Sequence, residues 1–327
     1  MAELKTKYLG FELKNPIIAA SCGITNSIDQ IKKLEDNGIA AVVLKSLFEE
    51  QILYFAHKHI DENQLDYPEA YDYIKNYVKA DELEKYLSLI KNLKKSVSIP
   101  IIASINCISS DEWISFTKEI ENAGADAIEL NIMTLSANPK ISSYDVENKL
   151  FEIIDKVHST TKLPLAVKLS PHYTALANIL VRLDWKKQIK GAVLFNRQYS
   201  PDIDIENMKI TSTNILSDPH DYSESLRWIA LTSDTVKIDL AATTGIWDGK
   251  TIIKQLLAGA KAVQIASALY KNGLQIIGSM LKEIEEWLNN KGFSSVNEII
   301  GKMSFKNLDS PVAYERIQFM KYFSKIE

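Results

Sequence analysis

Eight short runs of apolar residues punctuate the chain, each closing on or near a small polar or charged residue and separated by helix-length stretches of mixed character. Four open on glycine: Gly38–Lys45, Gly124–Asn131, Gly191–Asn196 and Gly259–Ser267. Three open on proline, Pro16–Ser21, Pro100–Asn106 and Pro164–Lys168, and another, Val236–Ala242, has neither. Runs of about 5–8 aliphatic and β-branched residues alternating with amphipathic segments are the pattern of parallel strands joined by helical crossovers. Eight of them predict an α/β fold, a closed (β/α)8 TIM barrel. Catalytic residues of such barrels gather at the C-terminal mouth, where the strands end. Those ends are Ser21, Lys45, Asn106, Asn131, Lys168, Asn196, Thr243–Gly245 and Ser267.

The same patterning sketches what lies between. Residues 3–14 alternate and predict a short hairpin closing the barrel bottom, and Ile28–Asn37 predicts the first helix, capped by Asn26 or Ser27. More than 50 residues, Leu47–Ser98, separate strands 2 and 3. Only the last part of this insertion, Asp81–Lys95, has good amphipathic spacing; the first part is free to cover the mouth. Helices are expected over Asp111–Ala123, Ser143–Thr160 and from Thr174 to before Lys190, with the last two at Asn272–Lys291 and from Val296 onward. Strand 6 is followed by a long polar connection, Arg197–Ser223, and loops of that length inside a compact domain usually carry function.

The chain has 327 residues, 46% apolar and 24% charged, with a net charge of −4. That suits one domain, residues 1–327, with a large core, and no basic face for nucleic acid. No apolar run reaches the ~18 residues needed to span a bilayer, and the N-terminal residues have no secretory pattern, so a cytoplasmic location is expected. Cys22 and Cys107 are too few for a disulfide framework and lie in no metal-ligand spacing, although each follows a strand. His57 and His59 lie in the insertion.

The strand ends carry amides, hydroxyls and two lysines, without a cluster of Asp, Glu and His, so no metal site is expected. A lysine inside an apolar strand, as in Ala166-Val-Lys-Leu-Ser170, is almost never buried without a partner. Thr243-Thr-Gly245 and Ala266-Ser-Ala268 sit where barrels bind phosphate through backbone N–H groups. With Lys45, Lys168, Asn106, Asn131 and Asn196 at the same mouth, the pattern favours a phosphorylated cofactor and a small-molecule substrate.

Asn15-Pro-Ile-Ile-Ala-Ala-Ser21, Leu44-Lys-Ser46, Glu129-Leu-Asn131, Val167-Lys-Leu-Ser-Pro171, Thr243-Thr-Gly245 and Val263-Gln-Ile-Ala-Ser-Ala-Leu269 resemble, in order and spacing, the class 1 dihydroorotate dehydrogenases of pyrimidine biosynthesis. The closing Lys291–Lys302 segment resembles that family too. The resemblance implies an FMN flavoprotein in which Ala20 and Ser21 pack near the flavin and Lys45 and Ser46 contact its ring and ribityl region. Asn131 would face flavin and substrate, and Lys168 would stabilise negative charge at the reduced ring; Asn106 and Asn196, at corresponding strand ends, are further candidates for cofactor binding. Thr244, Gly245, Ala266 and Ser267 would hold the phosphate. A homodimer and a separate redox partner protein are both open.

Three departures stand out. Class 1 enzymes have Asn-Xaa-Ser-Cys-Pro-Asn after strand 4, whose cysteine takes a proton from C5 of dihydroorotate; here Asn131-Ile-Met-Thr-Leu-Ser136 puts Thr134 in its place. A hydroxyl is a far weaker base than a thiolate. The Asn-Ser-Met-Gly-Leu type loop has no counterpart in Leu47–Ser98, and Arg197 stands where the family has serine. Thr134, Lys168 and Asn131 are therefore the expected catalytic set, in an oxidoreductase acting on a CH–CH donor. Two other readings stay open: a Schiff-base lyase using Lys168, and a non-catalytic flavin-binding electron-transfer subunit.

Overall fold

The computed structural model describes residues 2–48, 68–106, 113–132, 135–197, 201–212, 214–308 and Tyr314. Elements are numbered in chain order. Eight parallel strands form the ring: β3 (Ile17–Ala19), β4 (Ala41–Val43), β6 (Ile101–Asn106), β7 (Ala127–Asn131), β8 (Leu165–Leu169), β9 (Ile189–Leu194), β12 (Asp239–Thr243) and β13 (Ala262–Ile265). Each pairs with the next, and β13 pairs back onto β3, so the sheet has no open edge. The expected barrel is present.

Period-2 alternation divides its residues into two cores. One position of each pair faces the helices and joins the shell between strands and helices. The other faces the axis, where Ile18, Ala41, Val43, Ile102, Ala127 and Ala166 share a second cluster with Val193, Ala241 and Ala262. The hairpin of β1 (Thr6–Tyr8) and β2 (Phe11–Leu13) plugs the bottom of this interior with Tyr8, Leu9 and Leu13. Its turn uses positive φ at Leu9 and Gly10. Two residues further up the strands the interior turns polar, with Ser104, Glu129, Lys168 and Gln264 at the inward positions. Small residues below and polar ones above aim the chemistry toward the mouth.

Strand 2 departs from regularity where it matters. β4 pairs with β6 through Val43↔Ile102, and the short β5 (Leu47–Phe48) resumes the pairing at Leu47↔Ile105. Four residues of one strand therefore advance against three of the other. Such an extra residue re-aims side chains and breaks the local ladder. Lys45 and Ser46 sit in this irregularity.

The helices on the outside are α1 (Ile28–Asp36), α2 (Pro68–Ser96), α3 (Trp113–Ala123), α4 (Ser143–His158) and α5 (Leu176–Asp184), followed by α6 (Tyr222–Thr232), α7 (Gly249–Ala258), α8 (Ser267–Asn272) and α9 (Ile276–Lys291). Ser142 and Asp145 form a capping box at α4, and Asp248 accepts from Thr251 N–H at α7, satisfying donors that a helix start leaves unpaired. Three expectations are corrected. The insertion helix is about twice as long as its amphipathic part, because propensity carries it back to Pro68 beyond the apolar stripe. The connection after strand 6 contains a hairpin, β10 (Pro201–Asp204) with β11 (Lys209–Ser212). Over residues 296–308 the chain forms short 3-10 turns, Val296–Glu298 and Phe305–Asn307, rather than an α-helix. Cys107, Thr134 and the His57/His59 pair fall outside the described residues.

Candidate active site

A cavity of about 950 Å³ opens at the C-terminal mouth of the barrel. Ala20 and Ser21 reach it from the end of β3, Lys45 and Ser46 from the irregular strand 2, Asn131 from β7 and Lys168 from β8. Asn196 follows β9, Thr244 and Gly245 follow β12, and Ala266 and Ser267 follow β13; all of them line the same space. Asn106 ends β6 in register with Asn131 and is buried, but it does not line the cavity. Among the described residues no group of three or more His, Cys, Asp or Glu is placed to hold a metal.

The floor is a buried ionic set. Lys168 Nζ donates to Gln264 Oε1 at 3.3 Å and lies 3.8 Å from Glu129 Oε1. Gln264 Nε2 in turn donates to Glu129 Oε2 at 2.5 Å. Glu129 is 1% exposed and Lys168 7%, so neither charge has bulk water to solvate it. Glu129 Oε1 takes no hydrogen bond. Beneath lies the buried Tyr8 hydroxyl, whose ionisation burial and then the charges of Glu129 and Asp239 push well above the ordinary phenol range.

The wall beside it is a chain of hydroxyls. Ser21 Oγ lies 3.0 Å from Ser46 Oγ, which lies 2.7 Å from Ser104 Oγ. Ser46 N–H donates to Ser21 Oγ at 2.9 Å, so it is lost to the strand ladder. The hydroxyl of Tyr86 on α2 fills the gap on β6: it accepts from Ser104 N–H at 2.8 Å and donates to Ser104 C=O at 3.3 Å. Opposite, Asn196 Nδ2 donates to Asn131 Oδ1 at 2.5 Å. The Asn131 amide N–H groups and the Asn196 carbonyl oxygen are left for a ligand.

The last wall is the loop after β11. Ile215, Leu216 and Ser217 line the cavity, and Ser217 N–H donates to Ser267 Oγ at 2.9 Å. Arg197 ties this loop down. Its guanidinium donates to the carbonyls of Asn214 and Ile215 at 2.8 and 2.7 Å and lies 3.7 Å from Asp221. Thr244 and Gly245 both have φ near +72°. A Cβ on Gly245 would stand 2.2 Å from Tyr222 N, at the start of α6. Glycine is there because two backbones touch.

An adjoining pocket of about 620 Å³ shares Phe195, Asn196, Arg197, Thr243 and Thr244 with the first and adds His172, His220 and Leu135. Sequence reasoning did not single out Glu129, Gln264, Tyr86 or Ser217. The first two carried a signal: a carboxylate and an amide at inward positions of apolar strands, in the same register as Lys168. Cys22 does reach the cavity, as its position after a strand suggested, and stands beside Tyr270. Burial first, then the Cys22 thiol's charge, raise the Tyr270 phenol.

A dihydroorotate dehydrogenase family model matches residues 3–288. The chain belongs to the dihydroorotate dehydrogenase family. Among its curated relatives, the catalytic subunit of dihydroorotate dehydrogenase B (NAD(+)) from Thermoplasma volcanium is 27% identical over 316 residues, covering 92% of this chain and 98% of the relative. The proteins of the same name from Thermoplasma acidophilum and Pyrococcus furiosus are 24% and 26% identical, covering 92% and 91% of this chain and 99% and 98% of their own lengths. The match runs from the bottom hairpin into α9.

Proposed function

We propose that the chain is an FMN-dependent oxidoreductase that takes a hydride from a small planar ring substrate, with dihydroorotate, named by its relatives, as the leading candidate. The observation that carries this reading is Lys168: an ammonium at the floor of the mouth cavity, held by two buried partners, with a donor left for a ligand. FMN, when bound, accepts the hydride. The donor set fits it. A volume of about 950 Å³ lies at the upper end of the usual range for ligand sites, about 300–1,000 Å³.

The chain's own groups have distinct tasks in this reading. Lys168 opposes the negative charge that a reduced flavin ring carries. Asn131 and Asn196, locked to each other, present a donor and an acceptor to a flat heterocycle, while Lys45 stands by the ring edge and the ribityl chain. Thr244, Gly245, Ala266 and Ser267 hold the phosphate end. Thr134 takes the position of the family's proton acceptor. The relatives are named as catalytic subunits, which supports a partner subunit to receive the electrons.

The Schiff-base alternative is disfavoured by Glu129. A carboxylate 3.8 Å from Nζ stabilises the ammonium, whereas imine formation needs the free amine. The test is spectroscopic: the purified chain shows an oxidised-flavin spectrum that bleaches anaerobically on addition of dihydroorotate. Protein that is colourless and takes up no FMN removes the cofactor assignment. Coloured protein that dithionite bleaches and dihydroorotate does not removes the substrate.

A further inference from the structure

We propose that Glu129 and Gln264 are positioning residues whose task is to keep Lys168 a charged ammonium and to fix its direction beneath the cavity. The inference rests on the flavin reading only for its consequence, not for its geometry.

Stability gives no reason for the arrangement. The inward positions one step lower on the same strands are Ala127, Ala166 and Ala262, and a buried ion pair is often no more stable than well-packed apolar residues of similar volume. A carboxylate and an ammonium at 1% and 7% exposure are therefore costly unless their charge is used.

The geometry assigns that use. Gln264 spans the two ions with its oxygen toward Lys168 and its nitrogen toward Glu129; a flipped amide would set two donors against each other and two acceptors against each other. The Glu129 oxygen that takes no hydrogen bond is the one 3.8 Å from the ammonium, so it acts on Lys168 through charge alone. The other titratable groups near Glu129 are Tyr8 from the plugging hairpin and Tyr86 from α2, with Asp239 facing Tyr8. Both phenols are held neutral by burial. Lys168 is thus the cation that answers Glu129 among the described residues.

Reductive methylation of the full-length chain, stripped of bound cofactor and followed at Lys168 by peptide mass spectrometry, reads the proton on Nζ directly. In Glu129→Gln, which keeps shape and removes charge, the pH of half-maximal reaction falls by about 1–3 units, the size of an opposite-charge effect at this range. In Gln264→Leu, the second arm should the first variant not fold, it falls in the same direction by less. Wild-type pH dependence in the folded variants overturns the proposal. The midpoint potential of bound FMN is the separate readout: above the new half-reaction pH, Glu129→Gln approaches the double variant Glu129→Gln with Lys168→Met. A shifted methylation curve with one potential shared by wild type, Glu129→Gln and Lys168→Met leaves the positioning role intact and counts against the flavin reading instead.

Discussion

Gly245 shows how one residue can be required by backbone contact rather than by a ligand. With φ at +72° and Tyr222 N only 2.2 Å from where a Cβ would stand, Gly245→Ala adds left-handed strain to an overlap that side-chain motion cannot relieve. The expected cost is about 2 kcal/mol or more, measured by urea unfolding; a change below about 0.5 kcal/mol would show that the β12–α6 contact yields freely. Phosphate binding is therefore better probed at Ser267 than at Gly245. Thr134 poses the opposite kind of question, one of chemistry alone. General-base assistance is typically worth about 10²–10⁴-fold, so Thr134→Cys raises dihydroorotate-driven flavin bleaching by a measurable part of that range. An unchanged rate in a variant that dithionite still reduces counts against dihydroorotate.

At the scale of elements, the irregular strand 2 and helix α2 depend on each other. The extra residue beside Lys45 turns Ser46 N–H away from β6, and Tyr86 supplies the missing partner to both polar groups of Ser104. Tyr86→Phe leaves a buried N–H and C=O without partners and costs about 1–3 kcal/mol. Because Ser104 also anchors the Ser21–Ser46 hydroxyl chain, the same variant should loosen cofactor retention, read as a weaker FMN dissociation constant. The β10–β11 hairpin contrasts with this. Ile203, Met208 and Ile210 are 66%, 87% and 85% exposed, so the hairpin contributes little packing to its own chain. Replacing Asp202–Thr211 with a short turn should leave the unfolding midpoint nearly unchanged; a loss above about 1 kcal/mol would mean that the hairpin supports the barrel after all.

For the molecule as a whole, the plug at the bottom is the point where pH enters. Asp239 accepts the Leu9 N–H at 2.8 Å, and burial, the largest cause, raises its carboxyl above the ordinary aspartate range. The folded chain therefore binds this proton more tightly than the unfolded chain does. Its contribution to stability is present at low pH and is lost as pH rises from near 4 through the folded value. Asp239→Asn removes that dependence while leaving an oxygen for Leu9. The difference in urea midpoint, variant minus wild type, should grow from pH 4 upward and then level off; a constant difference across that range would refute the assignment.

The eight apolar runs, their spacing and the polar residue at each end by themselves determined the barrel, because strand period and crossover length are local properties. They also named most of the cavity wall, since every strand ends at the same mouth. What the linear pattern could not hold was which inward side chains meet across the axis. Glu129, Lys168 and Gln264 lie on three strands, the last 96 residues from Lys168, and only closure of the ring with its stagger brings them within hydrogen-bond reach. Asn106 illustrates the same point in reverse: it ends its strand in register with Asn131 and is buried, yet it does not line the cavity. The bulge at Lys45, the reach of Tyr86 and the Arg197 tie are likewise decided by contacts between distant segments. Sequence dictated the periodicity; closure of the barrel decided which charges are neighbours.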